Sequence, residues 1–98
     1  MTELSSHLSV SVVAVEHAVW SGAAKMVTAT TTEGELGVLP GHAPLLGQLI
    51  DGSQVKIETD EGDHLFEVHG GYLSVTDEGV SIPVESAKEL DASLNHPE

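Results

Sequence analysis

Apolar residues recur along this chain at every second position, the repeat of an extended strand with one face buried, because successive side chains point to opposite sides. Leu8, Val10, Val12 and Ala14 alternate with Ser9, Ser11, Val13 and Val15, which predicts a strand from about His7 to Glu16. Trp20-Ser21-Gly22 reads as a turn, and a strand rich in β-branched residues is expected from about Ala24 to Thr32. Glu33-Gly34-Glu35 reads as a turn before the short apolar stretch Leu36-Gly37-Val38-Leu39. Pro40-Gly41-His42-Ala43-Pro44 then predicts a stiff loop, since each proline fixes its own φ and pushes the preceding residue toward extended geometry.

The second half repeats the theme. Leu45 to Ile50 is an apolar run stopped by Asp51-Gly52-Ser53, and Gln54 to Thr59 sets Val55 and Ile57 against Lys56 and Glu58. Asp60-Glu61-Gly62-Asp63 predicts a hairpin turn into a strand from His64 to His69. Gly70-Gly71 reads as a break or bulge. Tyr72 to Thr76 and Val80 to Val84 flank a further hairpin signal, Asp77-Glu78-Gly79. Pro83 lacks a backbone donor and so points to an edge strand or a bulge. Only the tail reads as helical: Ser86-Ala87-Lys88-Glu89 has capping-box form, and Leu90 and Leu94 stand four apart. No internal repeat, linker or second core stands out. Short strands punctuated by turns predict an all-β class, a flattened β-sandwich or barrel over residues 1–85, with a short helical or disordered tail over 86–98.

Charge narrows the range of partners. Against 16 acidic residues stand three cations, Lys25, Lys56 and Lys88, for a formal net charge of −13. Nucleic acid and anionic membrane surfaces are bound through basic footprints, and phosphate chemistry through clamping cations, so neither is expected. Partners should be basic or supply basic loops. Cysteine is absent, which removes disulfides and thiolate chemistry. No apolar run nears the roughly 20 residues that cross a bilayer, and the first residues lack a signal peptide's basic and apolar regions, so the default expectation is cytosolic.

Candidate chemistry is sparse. His64 and His69 are an odd five residues apart on one strand, hence on opposite faces; His42 lies in the proline loop. Neither His-x-His nor a helical H-E-x-x-H occurs, so no metal site is predicted. There is no G-x-S-x-G, the adjacent carboxylates fall in expected turns, and Gly34 to Gly41 lacks the Lys-Ser/Thr pair of a phosphate loop. Neither catalysis nor a cofactor is expected. Two other readings remain: a small cupin-like enzyme with metal at His42, and a stand-alone acidic binding module. The segment from Glu33 to Leu45, with three glycines and two prolines around one imidazole and two carboxylates, is either a docking loop or a tight corner between sheets.

The run Gly34-Glu35-Leu36-Gly37-Val38-Leu39-Pro40-Gly41-His42-Ala43-Pro44-Leu45 resembles the most distinctive motif of the epsilon-subunit family of F-type ATP synthases, called delta in mitochondria. Supporting matches follow in the same order: Leu8 to Glu16, Trp20-Ser21-Gly22, and Gly70-Gly71-Tyr72-Leu73-Ser74-Val75, so the resemblance covers about residues 7–90. It implies a sandwich of about ten strands followed by a helical hairpin. The resemblance further implies a non-catalytic rotor part that binds the gamma subunit and the polar loops of the c-ring, and reaches the catalytic head through gamma. Its place would be peripheral, on the cytoplasmic face of the plasma membrane. By the same resemblance Glu35, His42 and Gly41 match positions facing the c-ring, while Gly34, Gly37, Pro40 and Pro44 shape the loop. One departure is clear: the sequence stops where the family's first helix would begin, so inhibition of hydrolysis and ATP binding through the hairpin are not expected.

Overall fold

The computed structural model describes residues 7–90, and these form eight strands and no helix. They are β1 (Leu8–Val13), β2 (Ala18–Ala24), β3 (Met26–Thr31), β4 (Gly34–Val38), β5 (Leu45–Gln48), β6 (Gln54–Thr59), β7 (Gly62–Thr76) and β8 (Gly79–Leu90). Strand order is β2-β1-β8-β7-β6-β3-β4, with β5 added on β7. The pairing is antiparallel except between β1 and β8.

Two long strands make the sandwich. The first half of β7 pairs with β6, from Gly62 opposite Thr59 to Glu67 opposite Gln54. Its second half pairs with β5, from Tyr72 opposite Gln48 to Val75 opposite Leu45. One layer is therefore β2-β1-β8-β7-β5 and the other β8-β7-β6-β3-β4, with the β7–β8 hairpin running through both. Thr31 bridges to Leu49, while Ile50 N donates to Thr30 O at 3.0 Å and Thr32 N to Gln48 O at 2.9 Å, closing the flattened barrel on one side.

The β7 side chains record the change of layer. Phe66 and Val68 are buried, and so are Leu73 and Val75, which shifts the inward set from even to odd positions across Gly70-Gly71. Both glycines have positive φ, 61° and 151°, and a Cβ on Gly71 would lie 2.3 Å from the Pro83 carbonyl oxygen. Only glycine fits there. The pair was expected to break or bulge the ladder: the paired positions are interrupted there, from His69–Ser86 to Gly71–Val84 to Ser74–Ser81, but the register is the same on both sides, so there is no bulge. The chain spends its freedom on a change of face instead.

Phe66, Ile57, Leu73 and Ile82 are the largest fully buried side chains, meeting between the layers. Every buried hydrophobic position among the described residues is Val, Leu, Ile, Ala or Phe; Thr31 is the one buried polar residue. Its hydroxyl donates to Gly34 O at 3.0 Å and accepts from Glu33 N at 3.1 Å. Thr59 does the same with Gly62 O and Glu61 N, and Thr76 with Gly79 O and Glu78 N. Three hairpins thus share the pattern Thr-x-Glu-Gly, in which the threonine hydroxyl satisfies backbone groups the turn leaves open.

Several expectations need correction. The strands number eight rather than about ten among the described residues. Trp20-Ser21-Gly22 is not a turn but the middle of β2, held by Val12 opposite Trp20 and Val10 opposite Gly22. Pro83 lies on a central strand, between β1 and β7. It is tolerated because paired positions on β7 and β8 skip from Gly71–Val84 to Ser74–Ser81, leaving Pro83 in the gap. Gly34 and Glu35 open β4, so the turn is confined to Thr32 and Glu33. Residues 86–90 are strand, not helix: Ser86, Ala87, Lys88, Glu89 and Leu90 pair with His69 through Leu65. A ladder on an existing strand satisfies more backbone groups than one marginal helical turn. The sandwich therefore runs past residue 85; Leu94 and the rest of the proposed tail lie outside the described residues.

Candidate docking site

The glycine and proline segment is built from an edge strand, a tight turn and a short inner strand. β4 pairs with β3 alone, placing Glu35 opposite Thr30 and Gly37 opposite Thr28, while buried Val38 anchors its end. Gly37 is tightly placed: a Cβ there would meet Met26 Cε at 2.6 Å. Glu35 is exposed, as an acidic residue on a solvent-facing edge should be.

The chain then reverses through Leu39-Pro40-Gly41-His42, closed by His42 N donating to Leu39 O at 3.0 Å. Gly41 has φ of 87°. Proline second and a positive-φ glycine third is the form of a type II turn. His42 Nδ1 lies 2.6 Å from Ala43 O. A carbonyl oxygen only accepts, so Nδ1 carries the proton and Nε2 is left to a partner. Pro44 leads into β5, which is fixed by Leu45 opposite Val75.

That long-range pair brings the corner against the β7–β8 turn. Pro40 to Pro44, Val75 to Gly79 and His7 to Ser9 together line a groove of about 520 Å³. Asp77 and Glu78 thus share a groove with His42, and neither was singled out by the motif. Their place depends on Leu45 meeting Val75, thirty residues away, which no local pattern reveals. Glu35 does not line this groove. The two residues expected to act together stand at separate stations, one on the edge of β4 and one in an acidic groove.

Three other histidines are engaged elsewhere. His7 Nε2 lies 2.8 Å from Asp60 Oδ2, and His64 Nδ1 lies 2.7 Å from Glu89 Oε2. His69 sits between Glu67 Oε2, at 3.2 Å, and Asp51 Oδ1, at 3.4 Å. No three His, Asp or Glu side chains among the described residues are grouped to hold a metal ion. A cupin-like centre needs inward-facing histidines on neighbouring strands, and the buried positions here are aliphatic or aromatic hydrocarbon apart from Thr31.

The family model for the beta-sandwich domain of the ATP synthase delta/epsilon chain matches residues 7–90, the whole of the described fold. The chain belongs to the ATP synthase delta/epsilon family. Among family members, the ATP synthase epsilon chain of Rhodococcus opacus is 53% identical over 83 residues, covering 84% of this chain and 68% of that protein. The corresponding chain of Nocardia farcinica is 51% identical over 87 residues, 88% of this chain and 67% of that one. That of Mycobacterium tuberculosis is 50% identical over 84 residues, 85% of this chain and 69% of its relative.

Solved structures carry the same fold at low identity. A chain of the Euglena gracilis mitochondrial ATP synthase, in an assembly of OSCP, F1 and c-ring, superposes with a TM-score of 0.81 at 24% identity. The match covers 95% of this chain and 61% of that one. A chain from the central stalk and c-ring of the Tetrahymena thermophila enzyme gives 0.69 at 22% identity, over 89% and 69%. This delta/epsilon chain thus corresponds to the sandwich part of longer family members.

Proposed function

We propose that this chain is a non-catalytic part of the rotor of an ATP synthase, joining the gamma subunit of the central stalk to the polar loops of the membrane c-ring. Torque from ion flow at the ring would pass through it to the stalk and so to the catalytic head. Family membership supplies the context, and the matching structures come from assemblies that include a c-ring and, in one, the central stalk, which supports the reading. The observation that carries the reading is the corner itself: exposed Glu35 on the edge of β4, and a His42 ring whose Nε2 is left for a partner in a groove shared with Asp77 and Glu78. These are acceptors set on a rigid scaffold, the complement of a basic loop. Glu35 and His42 form the lower contact, with Gly41 and Pro40 shaping the turn, and Gly34, Gly37 and Pro44 setting the strands on either side. On this reading the chain acts at the cytoplasmic face of the plasma membrane, held by its partners.

Capture of the gamma subunit by the purified chain tests the upper contact. For the lower one, Glu35→Lys and His42→Ala are to be placed in the assembled enzyme and ATP-driven ion pumping compared with ATP hydrolysis. Pumping should fall relative to hydrolysis while the isolated domain melts as before. Undiminished pumping in both variants overturns the assignment.

A further inference from the structure

Met26 opens β3, whose Val27, Ala29 and Thr31 are buried, so Met26, Thr28 and Thr30 face outward from the second layer. Glu35 and Gly37 of β4 stand opposite Thr30 and Thr28, on that same outer face. Met26 is therefore the diagonal neighbour of Gly37, a separation that a long side chain can span. It does so here. Its Cε lies 2.6 Å from where a Cβ on Gly37 would sit, so the methyl group fills the hollow that the glycine leaves in β4. β4 ends the strand order and pairs with β3 alone, which makes this side chain a second hold on the strand that presents Glu35.

The thioether is also within reach of water. Met26 is half-buried, and the residues beside it on the ladder are charged: Glu58 stands opposite on β6, with Lys56 Nζ 3.9 Å from Glu58 Oε2 and 3.7 Å from Asp63 Oδ2. Cysteine is absent, so Met26 carries the only sulfur among the described residues. Hydrogen peroxide or an organic hydroperoxide is the oxidant class that such a sulfur meets. The sulfur lone pair attacks one peroxide oxygen, the O–O bond breaks and an S–O bond forms. The departing oxygen takes the proton of the transferred hydroxyl and leaves as water or an alcohol. Sulfur is oxidised by two electrons and the peroxide is reduced by two. The sulfoxide is larger and strongly polar, and burial against an apolar surface without a donor is costly for such a group. Turning to water, it draws the methyl out of the hollow, and Gly37 has no side chain with which to refill it.

We propose that Met26 is an oxidation-sensitive latch on β4: as a thioether it holds the strand that carries Glu35, and as a sulfoxide it releases that strand and weakens the contact with the ring. The proposal rests on the reading of Glu35 above and adds to it a reversible covalent control. Reversal takes a methionine sulfoxide reductase and a dithiol; the dithiol becomes a disulfide and the oxygen leaves as water.

The purified chain is to be oxidised alone with hydrogen peroxide and then assembled with untreated partner subunits, so that no other subunit meets the oxidant. Fragment masses should show one oxygen gained at Met26. Amide exchange from Gly34 to Val38 should quicken by roughly tenfold while that of β1 stays as it was. In the assembled enzyme ATP-driven pumping should fall by about twofold relative to hydrolysis, as for partial loss of one charge-assisted contact, and reductase with dithiothreitol should restore it. Met26→Leu, which keeps the hollow filled and carries no sulfur, should be indifferent to peroxide in both measurements. Met26→Gln, a polar head that needs no oxidant, should loosen β4 as the sulfoxide does. If Met26 resists oxidation, or β4 exchanges as before once it is oxidised, the proposal fails and Glu35 keeps its role. If β4 loosens but coupling holds in an enzyme where Glu35→Lys lowers it, the latch does not reach the ring and the proposal fails likewise. If Glu35→Lys is itself without effect, the ring contact at Glu35 fails and takes the proposal with it.

Discussion

The indole of Trp20 packs on the imidazole of His64 with ring centroids 5.0 Å apart and planes tilted by 44°, joining the edge strand of one layer to the central hairpin of the other. Beyond it His64 stacks on Phe66, at 6.4 Å and 16°, while its Nδ1 approaches Glu89. The contact covers one end of the sandwich, where β2 has no further strand to pair with. His64→Ala should lower stability by about 1 kcal/mol through loss of the ring contacts, a shift of roughly 4–8 °C in melting temperature. Trp20 is the chain's only tryptophan, so its emission reports the change directly. An unaltered spectrum and melting point would show that the rings merely lie close.

Gly71 should be irreplaceable. With φ at 151° and the Pro83 oxygen 2.3 Å from where a Cβ would sit, Gly71→Ala forces β7 away from β8 where the strands pass between layers. The expected loss is about 3 kcal/mol or more by chemical denaturation. Gly41→Ala is the contrast: its φ is 87° but a Cβ meets nothing within 4 Å. Only about 1 kcal/mol should be lost there, with the domain folded and the corner turn distorted.

The three threonine-capped hairpins should rank by burial. Thr31 is 2% exposed, and Thr31→Val leaves Glu33 N without its acceptor, at a cost of about 1–3 kcal/mol. Thr59→Val, at a wetter turn where water replaces the hydroxyl, should cost about 0.5–1 kcal/mol. Denaturant midpoints for the two variants check the order; equal losses would mean that burial does not govern the turn bond.

The core sets the scale for these figures. Phe66 is fully buried between the layers, and Phe66→Ala should remove about 3–5 kcal/mol, a large share of the 5–15 kcal/mol that holds a small domain folded. Calorimetry of that variant should show a broadened, low-temperature transition or none.

Shortening the chain after Glu85 tests the corrected extent of the sandwich. It removes the partners of β7 from Leu65 to His69 and opens a strand edge in the second layer. Marked loss of stability and self-association by sedimentation are expected; a shortened chain that stays monomeric with an unchanged melting point would return the boundary to residue 85.

Much of this architecture was legible because period two is a local signal. Leu8, Val10 and Val12, or Val55 and Ile57, announce their inward faces without reference to any other strand. What was not legible depends on distant partners. Ser86-Ala87-Lys88-Glu89 carries a sound helix-capping pattern, and only the presence of β7 alongside makes it strand. Trp20-Ser21-Gly22 has turn-forming residues, but pairing with β1 draws it straight. At the corner the motif picked out Glu35 and His42 by type, while Asp77 and Glu78 joined His42 through the meeting of β5 and β7.

The parallel pairing of β1 with β8 bears on how the domain carries load. Val10 to Val13 run in the same direction as Val80 to Pro83, so tension between the start of β1 and the end of β8 slides the two strands along each other. Sliding strains all the hydrogen bonds of that ladder at once, whereas peeling would break them singly. Loading in shear is the geometry in which a short ladder holds best, and the proposed place between stalk and ring would load the domain in service.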